Sequence, residues 1–274
     1  MSDPAYRSIA VAAAFSSPRF LHVLTEARRV RDRFGAQLSF IYVGKRDPNT
    51  TRKFADAWKK LKLPADSVVH YEEGDPASGI LAAATKHHLE LLIAGALEKE
   101  AVHRQFLGNV ARRLAREAKC SVMLFTNPEL DPQPLRHIVF MAEYSDHARR
   151  AFRRTLQLAE WEKCERLFVI RNHTSFDKAR ARRRSKTSRT VALTLEEEEA
   201  ALQDFVLAAG VTPVPIETRC IRGNTGFAAS EFVSAVKADL LVVPMETKSG
   251  ADLKLPRQSA WITDVIPCNL WIIR

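Results

Sequence analysis

The stretch GDPASGILAAATKHHLELLIAG, Gly74 to Gly95, decides the fold, because GNTGFAASEFVSAVKADLLVVP, Gly223 to Pro244, repeats its plan at the same length. Each copy opens on glycine in a turn. A helix follows, over residues 77–88 in the first copy and 227–237 in the second. Each then runs into a short apolar strand, Leu91 to Ala94 or Leu240 to Val243. The 21-residue separation is kept in both (95 − 74; 244 − 223), and Cys120 and Cys268 stand 25 and 24 residues further on (120 − 95; 268 − 244). Unlike elements at equal spacing mark an internal repeat.

The repeat extends upstream. Residues 9–14, IAVAAA, read as a buried strand, and Ser16-Ser17-Pro18 breaks it. Leu21, Leu24, Ala27, Val30 and Phe34 then fall at helical spacing, with Gly35 as the stop. The strand at 38–43 follows. In the second copy the strand at 138–142 precedes Ser145-Asp146, a cap for a helix over 147–161, and then the strand at 166–170. Strands alternating with helices call for a parallel sheet covered on both faces, with the carboxyl ends of the strands opening on one crevice. Pro128, Pro132 and Pro134 mark a linker. The domains expected are 1–127 and 137–274, joined by 128–136.

The order of elements, the Gly74-Asp75-Pro76 turn, the loop after Gly95, and the cysteine before each last strand resemble the universal stress protein family, over nearly the whole chain twice. The resemblance implies two tandem doubly wound five-stranded α/β sandwiches of the adenine nucleotide alpha hydrolase type. They would pair through their last strands, Val122 to Phe125 and Leu270 to Ile273, with Trp271 the best interface residue. It also implies a non-catalytic, cytoplasmic stress-response protein acting as a binding or signalling module. Many family members bind ATP or a related nucleotide through G-x-x-G, nine residues, then G-[S/T]. Glycines there admit backbone amides to phosphate oxygens at a helix start.

Carried onto this chain, the motif matches Gly95 and Gly108, 13 apart (108 − 95), with Glu98 at the second glycine and Asn109 for Ser/Thr. Val110 begins the phosphate-side helix, and Val43 ends the second strand beside the site. The aspartate that usually closes the first strand is Ala14, followed by Phe15. Lys99, His103 and Arg104 could offset the charge of Glu98. The second copy has Pro244, Thr247 and either Pro256 or Arg257 at the glycine positions, and proline offers no N–H. It keeps an acid, Glu143, at the aspartate position. One copy thus retains glycines without the acid, the other the acid without glycines. An ATP- or AMP-binding switch, with Mg, in the first copy is the alternative function, and Glu143 is the sole candidate in the second.

The net charge of +10 and isoelectric point near 9.7 favour anionic partners. The excess is partly local. Residues 178–189, from Lys178 to Arg189, carry seven bases in twelve, within an insertion near 174–194. A solvated charge block, nonspecific nucleic-acid contact through phosphates, and folding against Glu196, Glu197, Glu198 and Glu199 are the competing readings. A protein partner is unidentified. The tandem would be a monomer with an internal pseudo-dimer, or a homodimer of tandems.

Other chemistry is not written here. Cys120, Cys164, Cys220 and Cys268 form no CxxC and read as reduced thiols; Cys120 and Cys268, each just before an apolar run, read as buried structural ones. The eight histidines show no metal spacing, and no G-x-S-x-G, G-x-G-x-x-G or Walker A loop occurs. Neither a secretory leader nor a run of ~20 apolar residues is present. Trp58, Trp161, Trp261 and Trp271 read as core or interface.

Overall fold

The computed structural model describes residues 5–63, 67–96, 107–173, 194–222, 226–246 and 266–274. The chain divides into two compact units. In the first, β1 (Ser8–Ala12), α1 (Phe20–Phe34), β2 (Gln37–Val43), α2 (Pro48–Leu61), β3 (Val69–Glu72), α3 (Pro76–Lys86), β4 (Leu91–Gly95), α4 (Asn109–Glu117) and β5 (Ser121–Phe125) alternate in chain order. The sheet runs β3-β2-β1-β4-β5, all parallel. Its central strands are apolar on both faces because helices cover both: Ile9, Val11, Leu91, Leu92 and Ile93 are fully buried.

Local chemistry sets the helix ends. Gly35 takes the left-handed conformation (φ +62°) that ends α1, its N–H donating to the Arg31 carbonyl. Asp47 caps α2 by accepting the Thr50 amide at 2.7 Å, and the Thr50 hydroxyl accepts the Asp47 amide at 3.0 Å. The Gly-Asp-Pro turn works the same way. Asp75 accepts the Ser78 amide at 3.0 Å and Pro76 opens the first turn of α3. The Ser78 groups, with Arg113 beside them, hold the Asp75 carboxyl below its ordinary value. Gly79 lets α3 lie close on the sheet: a methyl there would stand 3.0 Å from Val43 Cγ2.

The second unit repeats the plan with β6 (His137–Met141), α5 (Asp146–Trp161), β7 (Arg166–His173), α6 (Leu195–Leu207), β8 (Ile216–Arg222), α7 (Gly226–Ala235) and β9 (Leu240–Pro244). Its strands run β9-β6-β7-β8. Ser145 caps α5, as its position predicts, accepting the Ala148 amide at 3.1 Å. Thr194 and Glu197 form a capping box on α6, which suits the acidic first turn to the helix dipole. Phe140, Phe152 and Phe205 fill the core between sheet and helices, with ring centroids 5.0 and 5.3 Å apart.

The last strand, β10 (Asn269–Ile273), belongs to the first unit. It pairs antiparallel with β5, Leu270 opposite Leu124 and Ile272 opposite Val122, which is the pairing the resemblance implies. Trp271 is fully buried against Phe34 at 5.8 Å and Tyr6 at 6.1 Å. Asn269 accepts the Thr126 amide at 2.9 Å. The Arg274 guanidinium donates to the Ala115 carbonyl at 2.6 Å. Trp161, by contrast, is 40% exposed on the last turn of α5, outside the core. All four cysteines are free thiols. Cys268 is buried as expected, whereas Cys120 is half-buried; Cys164 is also buried and Cys220 half-buried. Burial raises the Cys164 thiol to about 11, so it stays protonated and donates to the Arg136 carbonyl at 3.0 Å.

His70 on β3 stacks on His87 with centroids 3.7 Å apart. Burial first, then His87, and more weakly Lys86 hold the His70 imidazole below 6.5, against the opposing pull of Glu72. The unfolded chain therefore takes up the proton first as pH falls through about 6.5. The first unit should lose stability on acidification from pH ~7.5 to ~5.5, and His70→Gln should reduce that loss. Urea midpoints of both proteins at the two pH values check it; equal losses would contradict it.

Candidate functional site

The order β2-β1-β4 reverses direction at β1, so the crevice of the first unit opens over the carboxyl ends of β1 and β4. A cavity of about 400 Å³ lies there. That size falls within the range of small-ligand pockets. Val43, Gly95, Gly108 and Val110 line it, four of the five first-unit residues singled out from the sequence. The fifth, Asn109, is exposed and does not line the cavity.

Gly108 is the N-cap of α4. It carries no side-chain cap, and its N–H donates to the Ala96 carbonyl at 2.9 Å. Within the helix, the first amides of α4 have no carbonyl to donate to. The positive end of the helix therefore faces the cavity through Gly108, Val110 and Ala111. Gly95 is not required by the protein's own packing. A methyl there would meet only Val23 Cγ2, at an ordinary 3.4 Å. What glycine leaves at that point is open space in the cavity.

The rest of the wall is apolar or hydroxylic: Ala12, Ala13 and Ala14 from the end of β1, Ile80 from α3, and the polar Ser16, Ser17 and Tyr42. Every described lining side chain is uncharged. Ala14, where a carboxylate would stand, is exposed at the rim. Phe15 turns away into a ring cluster with Phe20 and Phe54, at 4.6 and 4.7 Å. The residues present fit the base and phosphate ends of a nucleotide and lack a ribose-binding acid. Glu98, Lys99, His103 and Arg104 lie outside the described residues.

At the equivalent strand ends of the second unit the described residues leave little space. Only about 10 Å³ remains between Glu143, Arg171, Asn172 and Pro244. Arg171, near the end of β7, lines it. Its Nε donates to Glu198 at 3.0 Å and its Nη1 to the Ala142 carbonyl at 3.2 Å, and the guanidinium lies 4.9 Å over the Tyr144 ring. The Tyr144 hydroxyl donates to the same Glu198 oxygen at 2.9 Å. Burial pushes the Glu143 carboxyl up, opposed by Arg171 and His147, with Glu246 adding repulsion. This Arg171, Glu198 and Tyr144 network was not anticipated. The one sequence signal was an arginine directly after the apolar run Leu167 to Ile170. Thr247, Pro256, Arg257 and the basic run 178–189 lie outside the described residues.

Among the described residues no group of three or more His, Cys, Asp or Glu could hold a metal ion. No described helix is long and apolar enough to cross a membrane.

Comparison with known proteins agrees with the repeat. The chain matches a universal stress protein of Methanocaldococcus jannaschii at 34% identity over 79 residues, 27% of this chain, and so spans 46% of that relative. Among solved structures, a universal stress protein of Pseudomonas aeruginosa UCBPP-PA14 superposes with a TM-score of 0.73 at 17% identity, over 98% of this chain and 94% of that one. A functionally unknown protein of Pseudomonas aeruginosa PAO1 gives 0.72 at 15%, over 98% and 93%. A universal stress protein of Archaeoglobus fulgidus gives 0.63 at 13%, over 97% and 98%. These likenesses show the fold. The sequence pattern of the universal stress protein family matches residues 56–126 and again 134–274, and with both repeats matched the chain belongs to that family, a stress-response class.

Proposed function

We propose that this chain is a non-catalytic stress-response binding module whose first unit takes one adenine nucleotide, ATP or AMP, and whose second unit takes none. The observation that carries the reading is the contrast between the two sets of strand ends, whose described residues enclose about 400 Å³ in one unit and about 10 Å³ in the other. In the open one, Gly108 and Val110 set the uncapped start of α4 against the cavity, where a phosphate gains from backbone amides and the helix dipole. Alanine, valine and isoleucine side chains offer an apolar seat to the base. In the second unit, Arg171, paired to Glu198, lines what space the described residues leave. Among the described lining residues there is no Asp or Glu and the polar groups offered to the ribose are hydroxyls, so affinity should be modest.

Thermal unfolding with millimolar ATP or AMP tests this. A ligand that binds the folded state raises stability, by about 2.7 kcal/mol at 100 times its Kd, so the wild-type midpoint should rise. Gly108→Val places a side chain where phosphate must approach the backbone and should abolish the rise. No rise in the wild type, or the same rise in the variant, would contradict the assignment.

A further inference from the structure

A second concavity lies on the same unit, at the other edge of its sheet. It is an open groove of about 790 Å³ between α2 and β3. Among the described residues β3 is the end strand of the sheet, and its backbone is only half used. The Val68 carbonyl accepts from the Phe40 amide at 2.8 Å, and the Glu72 carbonyl from the Gly44 amide at 2.7 Å. In a parallel ladder that alternation commits residues 68, 70 and 72 to β2. Val69 and Tyr71 then turn their N–H and C=O groups away from the sheet, and both line the groove.

The floor is aromatic. Phe54 is buried, and Trp58 and Tyr71 are half-buried. Val68, beside them, is 54% exposed. The rim is cationic: Arg46, Lys59 and Lys62 line the groove, and among the described residues no acidic side chain does. None of the three has an ion-pair partner among the described residues. The surrounding segment 45–62 holds seven Lys or Arg against Asp47 and Asp56, and Asp47 is spent on the helix cap.

We propose that this groove binds an extended acidic peptide of a partner protein, added as a further strand beside β3. Unspent backbone groups supply the hydrogen bonds, alternate apolar side chains of the peptide meet Trp58 and Tyr71, and its carboxylates meet the rim. The aromatic rings do not form a free platform for bases. Phe40 packs 4.3 Å from Trp58, and Arg46 lies 5.4 Å over Tyr71. That favours a peptide over single-stranded nucleic acid, which needs open ring faces.

The probe is a fluorescein-labelled eight-residue peptide alternating valine with glutamate, followed by anisotropy on the full chain. Saturable binding that weakens with salt is expected. The same peptide N-methylated at alternate amides should bind at least about tenfold more weakly, having lost its ladder hydrogen bonds. Val69→Pro removes an outward N–H without touching the β2 ladder, which an edge strand tolerates, and should weaken binding by a similar factor. Lys59→Glu with Lys62→Glu should do the same and flatten the salt dependence. If Val69→Pro fails to fold by circular dichroism, the N-methylated peptide on the wild-type chain decides. No binding of the peptide, equal binding of its N-methylated form, or tighter binding of a uridine-rich oligonucleotide would each overturn the proposal.

Discussion

Trp271→Ala should destabilise the first unit by about 3–5 kcal/mol, the usual range for removing a buried tryptophan. The side chain is fully buried, touches Phe34 and Tyr6, and sits on β10 opposite Met123 of β5. Its loss leaves a cavity among rings that cannot collapse without moving α1. Trp271→Phe should cost much less, because the indole Nε1 is buried without a hydrogen-bond partner and deleting it leaves no polar group stranded. Urea denaturation gives both values. A cost below about 1 kcal/mol for the alanine variant would mean that β10 is not part of this core.

Glu198→Ala should cost the second unit about 2–3 kcal/mol. Glu198 is buried and accepts both the Tyr144 hydroxyl and the Arg171 Nε. Removing it leaves a guanidinium and a phenol unpaired in a low-dielectric site. The penalty stays below that of a fully buried pair because the Arg171 side chain is 25% exposed. Glu198→Gln keeps an acceptor for both donors and should cost clearly less. Equal costs for the two variants, read from the unfolding transition of this unit, would show that the charge rather than the hydrogen bonding holds the network.

The fold was legible where elements are buried on both faces. β1, β4, β6 and β9 are short apolar runs, and each repeats its partner's spacing, so the strands and their parallel sense followed. The edge was harder. β3 is Val-His-Tyr-Glu and half-buried, so it carries no apolar run. The helix α2 hides its buried stripe of Phe54, Ala57 and Leu61 among lysines; its sharper signal is the Asp47-Pro48-Asn49-Thr50 cap. The first crevice was legible through the resemblance, whose nucleotide motif falls on Gly95 and Gly108 at the expected separation. Asn109 was not, because a side chain's direction on the first turn of a helix depends on how that helix docks. The placing of Arg171 at the second unit's strand ends was illegible for a related reason. Arg171 and Glu198 are 27 residues apart (198 − 171) on β7 and α6, and only packing brings them to 3.0 Å. Pro244, with no N–H to offer, told against phosphate binding there, but nothing in the sequence pointed to the arginine.

The central claim is that one unit is open to a nucleotide and the other shut. Calorimetric titration of the full-length, nucleotide-free chain with ATP tests it most directly. The account predicts a single class of site at one nucleotide per chain, lost in Gly108→Val and kept in Arg171→Met. Two nucleotides per chain, or binding that survives Gly108→Val and disappears with Arg171→Met, would contradict it.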